Sequence, residues 1–519
     1  MPVRMDQDDF QGSNDNFPEG GGRRGSSGGG GNIISFLLPF AFRLLRKNPK
    51  LGILLLVVCG AIYMFKGCGG SSVPVAPKRE AHSSSYSTGF QPNKKKYNET
   101  LVFAALADNI KNPLPESVSL LKYCPTRLNQ GSQGSCVGWA SSYAARTILH
   151  ARATGENPNQ VAFSPSYLYN QIALTGCQGA YLKNAMETMH EEGVLPFSKF
   201  KYDENSCSDT PEKHEELIAE SFKISGYNRL SKDHDKYEVD MLAIKQNLAQ
   251  GAPVIIGMMV GGTFMQAMEG RSVWIPSRSD YNQRGFGGHA MCVIGYDDFK
   301  EGGAFQIMNS WGENWGNKGI AYVRYKDFAY FTKEAYGLHP MGNASKKQTT
   351  QLKAKIGLVL NTTAKYVPLQ QVSKEVFTTE ILKIGTKFKM EITNNIACYI
   401  YIFGQEKDGS SYVLFPYTKK HSPYCGITGT RLFPKDFSMR LDDIGNKDCI
   451  AVVVTSKAID YNKLNQKISL AKGDSYGQKV ESVIQNVTGT TISTGDVLTI
   501  QTDLAKSDFT ACVVEINKK

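Results

Sequence analysis

The segment around Cys136 constrains this chain more than any other. Asn129 and Gln130 precede a run of small residues, GSQGS at 131–135, and an alanine-rich stretch of good helix-forming residues follows the cysteine. This order predicts a turn that leads into a helix with Cys136 at its N-terminus, where the helix dipole and free N–H groups favour thiolate over thiol. The thiolate is the form that attacks a carbonyl carbon. Taken alone, a cysteine at the start of a buried helix is also typical of a small core residue.

Two motifs downstream of Cys136 add a histidine and an asparagine. GGHAMCVIGYDD at 287–298 predicts a short apolar strand that begins at glycines, carries His289 near its start and ends in an acidic turn. A second short strand, at 305–308, leads directly into NSWGENWG, which begins at Asn309. His289 lies 153 positions after Cys136, and Asn309 lies 20 positions after His289. Both intervals fit an arrangement in which the three side chains meet in space and not in sequence.

The motifs NQGSQGSCVGWA, GGHAMCVIGYDD and NSWGENWG, in this order, resemble those of the papain-family cysteine peptidases, and of bacterial members in particular. The resemblance covers roughly 114–338. It implies an α+β fold of two subdomains, one helical and one β-barrel-like, and hydrolysis of peptide bonds in a protein or peptide substrate. Intermediate landmarks agree: 114–118 resembles the mature start, 164–168 the second helix of the helical subdomain, and 251–254 the start of the β-rich subdomain.

The resemblance and the chemistry of the side chains together assign roles to five residues. His289 is expected to take the proton of Cys136 and later to return it to the leaving amine. The amide of Asn309 would hold the imidazole in place, and Trp311 would shield that contact from water. Gln130, six residues before the cysteine as in the family, would form the oxyanion hole with the backbone N–H of Cys136.

Some positions depart from the family pattern. Gln133 stands three residues before Cys136, where the family commonly has a disulfide cysteine. The family's Cys-Asn-Gly-Gly stretch, whose backbone pairs with substrate, corresponds to CQGA at 177–180. Gly179 and Ala180 are therefore the candidate contacts for the substrate backbone, and the side-chain preference of the site stays open.

Residues 1–31, rich in Gly, Asp, Asn and Arg, cannot bury a core and are predicted to be a disordered tail. Two apolar runs follow at 33–45 and 51–65, within a predicted anchor region at 32–67. The second run has fifteen residues, short of the roughly 20 that a spanning helix needs. Snorkelling of flanking lysines or thinning of the bilayer could compensate for the difference.

Three interpretations compete for the second apolar run: a single-pass anchor spanning about 51–67, a cleaved signal peptide, or a buried core helix. A signal peptide needs a short n-region and a small-residue cleavage site, whereas fifty residues precede this run. A core helix would have nothing to pack against between Gly/Ser-rich neighbours, so the anchor is favoured. More basic residues flank the run on its N-terminal side, which predicts a cytoplasmic N-terminus and a periplasmic or other extracytoplasmic location for the rest. The first run is interpreted as an interfacial helix or part of a hairpin.

The remaining boundaries follow from composition. Residues 68–100 are predicted to be a flexible linker. The whole stretch from the predicted anchor to Leu114 lacks a long amphipathic helical pattern, so the inhibitory pro-domain usual in the family has no evident counterpart there. The peptidase domain is assigned to 101–340, a second linker to 341–375 and a C-terminal domain to 376–519.

The C-terminal domain is predicted to be all-β and sandwich-like, because alternating and β-branched runs are separated by turn residues. Its hallmark YIYIFGQEKDGSSYVLFP, at 399–416, resembles a domain of unknown function that follows peptidase domains in bacterial exported proteins. The likeness covers roughly 378–470. No catalytic set is evident, so a binding or positioning role, such as contact with a protein partner, is expected.

Apart from Cys136 and two cysteines near the apolar runs, eight cysteines remain, an even number that fits a disulfide framework in an exported protein. Connectivity does not follow from spacing. Cys177 with Cys207 is the favoured pair because the resemblance places both in the helical subdomain, whereas Cys292 is expected to be a core thiol. No metal-ligand spacing and no Walker or dinucleotide motif occurs, so neither a metal nor a cofactor is expected.

The net charge of +11 does not indicate a nucleic-acid partner. The lysine clusters lie in predicted linkers and turns, whereas nucleic-acid binding uses a basic face interleaved with aromatic residues.

Three functional interpretations remain. The first is a membrane-tethered endopeptidase acting outside the cytoplasm. The second is a catalytically silent papain-like scaffold or surface-assembly component that binds a protein partner. The third is an acyl transferase, or transpeptidase, that uses the same residues. The presence of Gln130, Cys136, His289 and Asn309 together favours an enzyme over a scaffold.

Overall fold

The structure, a computed structural model, describes seven stretches of the chain, which together form one compact unit. They are residues 3–7, 86–107, 111–232, 237–341, 349–486, 489–506 and 509–519.

The described helices are short. They are α1 (Lys94–Glu99), α2 (Cys136–Gly138), α3 (Thr147–Thr154), α4 (Pro165–Ile172), α5 (Leu182–Glu191), α6 (Lys213–Ala219), α7 (Met241–Ala249), α8 (Gly262–Gln266), α9 (Tyr325–Phe331), α10 (Tyr461–Leu470) and α11 (Tyr476–Val483). A π-helical stretch, Trp139–Arg146, joins α2 to α3. Single 3₁₀ turns lie at Leu121–Tyr123, Thr175–Cys177, Glu220–Phe222, Asp280–Asn282 and Lys300–Gly302.

The described strands fall into one peptidase-region group and one C-terminal group, with β1 far from both in sequence. They are β1 (Val3–Gln7), β2 (Ser117–Ser119), β3 (Tyr227–Arg229), β4 (Val254–Val260), β5 (Val273–Trp274), β6 (Gly287–Asp297), β7 (Ala304–Met308), β8 (Ile320–Arg324), β9 (Thr332–Leu338), β10 (Gln351–Leu360), β11 (Leu369–Gln371), β12 (Val376–Thr379), β13 (Lys387–Asn394), β14 (Cys398–Gln405), β15 (Ser411–Phe415), β16 (Tyr424–Cys425), β17 (Gly429–Phe433), β18 (Phe437–Leu441), β19 (Lys447–Thr455), β20 (Thr491–Ser493), β21 (Leu498–Asp503) and β22 (Phe509–Asn517).

The helical part of the peptidase region begins where the sequence predicted it. The helix α2 starts at Cys136 itself. Ser164 caps α4 by accepting a hydrogen bond from the Tyr167 N–H, and Pro165 occupies the first helical position, where its missing N–H costs nothing. Gly138 lets the two helices approach, because a Cβ at this position would lie 2.6 Å from the carbonyl oxygen of Pro165.

The β part of the peptidase region is one sheet with the strand order β3-β9-β4-β6-β7-β8-β5, and β2 pairs with β6. Its central strands β4 and β6 are antiparallel and place Met258 opposite His289. The residues of both strands are largely buried. The predicted two-part α+β architecture is therefore present.

Two further sheets form the C-terminal domain. One has the order β1-β18-β13-β10-β21-β20 with β17 on β13, and the other has the order β11-β12-β22-β19-β14-β15 with β16 on β14. Their facing apolar side chains, for example Ile356 and Met390 from the first sheet and Ile402 and Val452 from the second, form a shared core. This is the predicted sandwich.

The expectation of an all-β C-terminal domain is wrong in one respect. The helices α10 and α11 pack on the outer face of the second sheet, where Leu464, Ile468 and Val480 meet Tyr401 and Val453. Both helices are capped by side chains: Asp460 caps α10 and Ser475 caps α11. A strand with apolar residues on both faces needs such a second cover.

The predicted linker at 341–375 is also wrong for most of its length. The strand β10 is central in the first sheet, between β13 and β21, and β11 lies at the edge of the second. The first half of β10 alternates strictly, with Lys353 and Lys355 exposed and Leu352, Ala354 and Ile356 buried. That alternation is the signature of a half-buried strand.

The disorder predicted for residues 1–31 does not hold for β1, which pairs antiparallel with β18 from Val3 opposite Leu441 to Gln7 opposite Phe437. The sequence argument was that this segment cannot bury a core. An extended segment added to the edge of an existing sheet needs no core of its own, because its backbone groups bond to the unpaired groups of that edge.

The predicted membrane anchor at 32–67 lies outside the described residues. Among the described residues, no helix is both long enough and apolar enough to cross a membrane.

A buried ion cluster lies directly after β22 in the C-terminal domain. The ammonium of Lys518 donates to Asp442 Oδ1 at 2.6 Å and to Asp448 Oδ1 at 2.7 Å, and all three side chains are at most 1% exposed. Burial raises the pKa of Asp448 to about 6, against the opposing effect of Lys518. The ammonium therefore compensates two carboxylates that water cannot reach.

We expect Lys518→Met to lower the free energy of unfolding by about 3 kcal/mol, because two buried carboxylates lose their counter-ion. The loss should be larger at pH 8 than at pH 5: a carboxyl whose pKa is raised on folding is protonated without penalty at low pH and destabilises the fold as pH rises through its folded pKa. Denaturant unfolding at both pH values measures it. Lys519→Met, a change at the exposed neighbour, is the control, and equal unfolding midpoints for the two variants would contradict the prediction.

Candidate active site

Cys136 lies at the start of α2 and is completely buried. Its Sγ accepts a hydrogen bond from the backbone N–H of Ala290, on the sheet strand β6, at 3.3 Å. The nearby backbone N–H groups of Gly89, Phe90 and Val137 also act to lower the pKa of this thiol. The thiol thus sits where the helical part and the sheet part meet, surrounded by N–H donors.

His289, on β6, is oriented by Asn309. Its Nε2 lies 2.7 Å from Asn309 Oδ1, and this oxygen also accepts the N–H of Ser310 at 2.8 Å. Because a carbonyl oxygen can only accept, Nε2 must carry a hydrogen, and the lone pair of a neutral imidazole is then on Nδ1. Nδ1 is buried and has no hydrogen-bond partner among the described residues.

Trp311 covers this pair. Its ring stacks on the imidazole of His289 with a centroid distance of 4.2 Å and an angle of 25°. Trp311 and Asn309 are both nearly inaccessible to solvent. The position agrees with the predicted shielding of the contact between His289 and Asn309 from water.

Gln130 is fully buried at the same cleft. Its Nε2 donates to the carbonyl oxygens of Gln133 at 2.8 Å and Ser87 at 3.3 Å. Its Oε1 accepts the hydroxyl of Ser310 at 2.6 Å, which fixes the orientation of the amide. The structure therefore brings Gln130, Cys136, His289 and Asn309 to one place.

Ser310 is a residue that the sequence reasoning missed. Its N–H bonds to Asn309, its hydroxyl bonds to Gln130 Oε1, and its carbonyl oxygen accepts the Gln130 N–H at 2.8 Å. It thus positions the two amides on either side of the cleft. The available signal was its place directly after Asn309 in the NSWG motif.

The cleft is occupied by residues Tyr86–Gln91, here called the strap. The Ser87 carbonyl oxygen accepts from Trp311 Nε1 at 2.9 Å as well as from Gln130, and the Tyr86 ring stacks on Trp311 at 4.6 Å. The N–H groups of Gly89 and Phe90 reach the Gly288 carbonyl oxygen at 3.1 and 2.9 Å. These contacts cover Cys136 and His289.

The strap also uses the predicted backbone contact at Ala180. The Ala180 N–H donates to the Gly89 carbonyl oxygen at 2.8 Å, and the Gln91 N–H donates to the Ala180 carbonyl oxygen at 3.1 Å. Gly179 must be a glycine for this approach, since a Cβ there would lie 2.1 Å from the Gly89 oxygen and its φ is +98°. Both residues predicted to contact a substrate backbone thus contact an extended backbone segment of the chain itself.

The strap lies directly against the nucleophile and the sheet. The N–H groups of Gly89 and Phe90 are near enough to Cys136 to lower the pKa of its thiol. The Phe90 side chain is 1% exposed, and its ring fills the space beside Gly257 on β4. The strap therefore fills the cleft.

This corrects two predictions for residues 86–100, which were assigned to a flexible linker without any counterpart of an inhibitory segment. The strap binds mainly through backbone groups, which leave no side-chain pattern to recognise. After it, Asn93 caps α1 by accepting from the Lys96 N–H, and Tyr97 is buried. The run of three lysines at 94–96 suggested a solvated linker, but it begins a helix.

Burial of the cleft sets the protonation of the site. It raises the pKa of Cys136 to about 11, although several N–H donors oppose the shift. It lowers the pKa of His289 to about 4, against the effect of the hydrogen bond to Asn309. With the strap in place, both groups are therefore neutral at pH 7.

The nucleophile loop is tied to the neighbouring loop at 203–207. Cys177 and Cys207 form a disulfide with an S–S distance of 2.02 Å, as predicted. Gln133, at the position where the family commonly has a cysteine, donates through Nε2 to the carbonyl oxygens of Asp203 and Ser206 at 3.2 and 3.0 Å. Hydrogen bonds thus connect these loops at Gln133. Cys292 is a buried free thiol, as expected.

Within the described ranges, no group of three or more His, Cys, Asp or Glu side chains is placed to hold a metal ion.

Comparison with known families agrees with this geometry. Residues 115–337 match the papain family cysteine protease, and residues 381–458 match a domain of unknown function, DUF4384. The chain thus carries a cysteine-type peptidase domain of the papain family, followed by a DUF4384 domain.

The two curated relatives described next each align with less than half of this chain. An uncharacterised peptidase C1-like protein of Acanthamoeba polyphaga mimivirus is 29% identical over 245 residues, which are 44% of this chain and 75% of the viral protein. Mouse cathepsin K is 27% identical over 238 residues, which are 45% of this chain and 65% of cathepsin K. Among solved structures, xylellain, a cysteine protease from Xylella fastidiosa, aligns with a TM-score of 0.40 and 21% identity, over 51% of this chain and 98% of xylellain.

We expect Gly89→Ala to expel the strap, because the new Cβ would lie 1.9 Å from the Gly134 carbonyl oxygen. If the pKa of Cys136 then falls from about 11 to its ordinary value of 9.0, the thiolate fraction at pH 7 rises about a hundredfold. The rate of alkylation by iodoacetamide, corrected with a Cys136→Ala variant, measures this.

Ser87→Ala is the matched control on the strap, because Ser87 bonds to the cleft through its carbonyl oxygen and not through its side chain. Equal alkylation rates in the two variants would show that the strap does not limit the reactivity of Cys136.

Proposed function

We propose that this chain is a latent papain-like endopeptidase that hydrolyses peptide bonds through Cys136, His289 and Asn309, with Gln130 as oxyanion donor. We further propose that it acts outside the cytoplasm, attached to a membrane. The observation that carries the first part is the meeting of these four side chains at one buried cleft, although Gln130 and Asn309 are 179 positions apart.

The tautomer of His289 supports its role as the base. Since Nε2–H is held by Asn309 Oδ1 at 2.7 Å, the free lone pair of Nδ1 takes the proton of Cys136 when the strap leaves. The thiolate then attacks the substrate carbonyl carbon, and the imidazolium returns the Nδ1 proton to the leaving amine. A water molecule, deprotonated by the same nitrogen, releases the acyl group from sulfur.

The strap supports the assignment of the oxyanion donor. A peptide carbonyl oxygen, that of Ser87, already lies 3.3 Å from Gln130 Nε2. Ser310 holds the opposite end of this amide, so the donor is oriented before any substrate binds. A substrate carbonyl that enters after the strap has left would find the same N–H group, and charge that develops on its oxygen would be stabilised.

The disulfide between Cys177 and Cys207 supports action outside the cytoplasm, because reducing cytosols keep thiols free. Membrane attachment rests on the apolar run at 51–65, which lies outside the described residues. A single crossing there would separate β1 from the C-terminal domain, whereas β1 pairs with β18. Both arrangements cannot exist in one chain, so a single-pass anchor requires β1 to leave the sheet.

We expect substitutions of the site residues to reduce peptide cleavage to different extents when they are made in the Gly89→Ala background, where the cleft is open. Cys136→Ala should abolish cleavage of a peptide library. His289→Ala should reduce kcat/KM by roughly a hundred- to ten-thousandfold through loss of the base. Gln130→Ala should reduce it by roughly a hundred- to a thousandfold, mainly in kcat.

Gln160→Ala, a change at an exposed glutamine of the same domain, controls for the glutamine substitution. An epoxide-type thiol inhibitor should label the Gly89→Ala protein at Cys136. If the Gly89→Ala protein is not labelled and cleaves no library peptide, the endopeptidase proposal is refuted and the scaffold interpretation is left. Transfer of the acyl group to added amines in preference to water would indicate a transpeptidase.

The single-pass topology predicts that a tag placed before Met1 is protected when intact spheroplasts are treated with external trypsin, while the C-terminal domain is degraded. The reason is that one crossing near 51–67 leaves the two ends on opposite sides. Degradation of the tag together with the C-terminal domain would exclude a single crossing and agree with the pairing of β1 with β18. Detergent-treated samples provide the control for tag accessibility.

A further inference from the structure

The chain that follows the strap is held between two domains. We call residues 101–107 and 111–112 the clamped segment. On the peptidase side, Arg229 of β3 donates its N–H to the Leu101 carbonyl oxygen at 3.0 Å, and its own carbonyl oxygen accepts the Phe103 N–H at 3.1 Å. The Gln246 side chain accepts the Leu106 N–H at 2.9 Å and donates to the Leu106 carbonyl oxygen at 3.2 Å.

On its other side, the clamped segment pairs with the C-terminal domain. The Val102 N–H donates to the Lys420 carbonyl oxygen at 2.7 Å, and the Ser422 N–H donates to the Val102 carbonyl oxygen at 3.0 Å. The Ala107 N–H donates to the Thr430 carbonyl oxygen at 2.7 Å. Around Val102 the segment therefore runs as an extended strand with one neighbour in each domain.

Side chains add to this pairing. Asn112 accepts the Thr430 N–H through Oδ1 at 2.7 Å and donates through Nδ2 to the Thr430 carbonyl oxygen at 2.9 Å. Lys111 forms an ion pair with Glu391 of β13 and hydrogen-bonds to the Tyr366 hydroxyl at 3.2 Å. The buried guanidinium of Arg431 donates to the Ala104 carbonyl oxygen at 2.8 Å.

The clamped segment is buried as well as bonded. Val102, Phe103, Leu106 and Ala107 are each less than one tenth exposed. Leu106 lies against Gly429, where a Cβ would come within 3.0 Å of its side chain. An extended segment with few intrinsic folding preferences is thus ordered by the two surfaces that enclose it, as in recognition by strand addition.

We propose that the C-terminal domain has a regulatory function for the peptidase: it holds the clamped segment against the peptidase domain and so keeps the strap in the cleft. This proposal rests on the proposed peptidase function, because it concerns access to the same site.

The mechanism is a short tether. Nine residues separate Gln91, the end of the strap, from Leu101, and the helix α1 with buried Tyr97 lies among them. While Leu101 and the residues after it are fixed, a strap that leaves the cleft remains within roughly 30 Å of it and returns by an intramolecular step. Release of the clamped segment removes this fixed point and loosens α1, so the strap can leave for longer.

The test weakens the clamp at a distance from the cleft and measures the reactivity of Cys136 in the full chain. Asn112→Leu removes the two hydrogen bonds to Thr430, and Lys111→Glu places a second carboxylate beside Glu391. We expect each variant to raise the rate of alkylation of Cys136 roughly tenfold, the effect of losing one or two net hydrogen bonds or one ion pair. Faster hydrogen exchange at residues 86–91 should accompany it.

Matched variants separate the clamp from general loosening of the fold. Lys199→Glu makes the same charge change at an exposed lysine outside the strap, α1 and the clamped segment, and should leave the rate unchanged. Lys111→Glu combined with Glu391→Lys restores opposite charges and should return the rate to within about twofold of the wild type. If Asn112→Leu also lowers the unfolding midpoint, its faster alkylation could come from general loosening of the fold. The charge-exchanged pair then decides whether the clamp controls the alkylation rate.

The outcomes distinguish the two proposals. If Gly89→Ala accelerates alkylation and cleaves peptides while the Asn112 and Lys111 variants react at the wild-type rate, the clamp is overturned and the peptidase stands. The clamp is also overturned if Lys111→Glu accelerates alkylation of Cys136 and the added Glu391→Lys does not slow it again. If Gly89→Ala is alkylated but cleaves nothing, the peptidase proposal fails while the clamp is still judged by alkylation.

Discussion

A buried backbone N–H or carbonyl group must find a hydrogen-bond partner, and much of this structure follows from how extended segments meet that requirement. The strap bonds to Ala180 and Gly288, the clamped segment bonds to Arg229 on one side and to Lys420 and Ser422 on the other, and β1 completes the edge of a sheet. Each segment is extended and adds to a surface that the folded domains already present. The peptidase and the C-terminal domain are therefore connected by a shared strand as well as by the chain between them.

Occupation of the cleft changes its chemistry as well as its access. A thiolate–imidazolium pair needs polar surroundings or close compensation, and removal of water disfavours both charges. The strap supplies N–H donors to Cys136 Sγ, but desolvation outweighs them, so the pKa of the thiol rises while that of His289 falls. The stacking of Trp311 on His289 and the bond from His289 to Asn309 are both present with the strap in the cleft. The proposed latency would therefore need no distortion of the site, only its burial.

The sequence was informative where chemistry demands particular side chains and less so where backbone groups do the work. Cys136, His289 and Asn309 sit in motifs whose residue types follow from their chemistry, and the structure brings them together. The strap was missed because backbone hydrogen bonds can be made by almost any residue. The strand β10, in contrast, has a side-chain signal, because the alternation around Lys353 and Lys355 is typical of a half-buried strand. It was predicted to be a linker because it directly follows the peptidase domain. The helices α10 and α11 were not predicted because β-branched runs dominate the sequence of this domain. The helix-capping residues Asp460 and Ser475 were the signal for them.

A short tether suits a strap that binds through few side chains. Its contacts are the Tyr86 and Phe90 rings and the backbone bonds of Ser87, Gly89 and Gln91. A free peptide with so few anchors would pay the full cost of association each time it bound. Fixing the chain at Val102 removes most of that cost in advance, because the strap then searches a small volume around the cleft. The occupancy of the cleft by the strap depends on what keeps Val102 in place, and both backbone hydrogen bonds of Val102 are to the C-terminal domain. A domain without a catalytic set of its own can in this way set the activity of its neighbour by holding a strand.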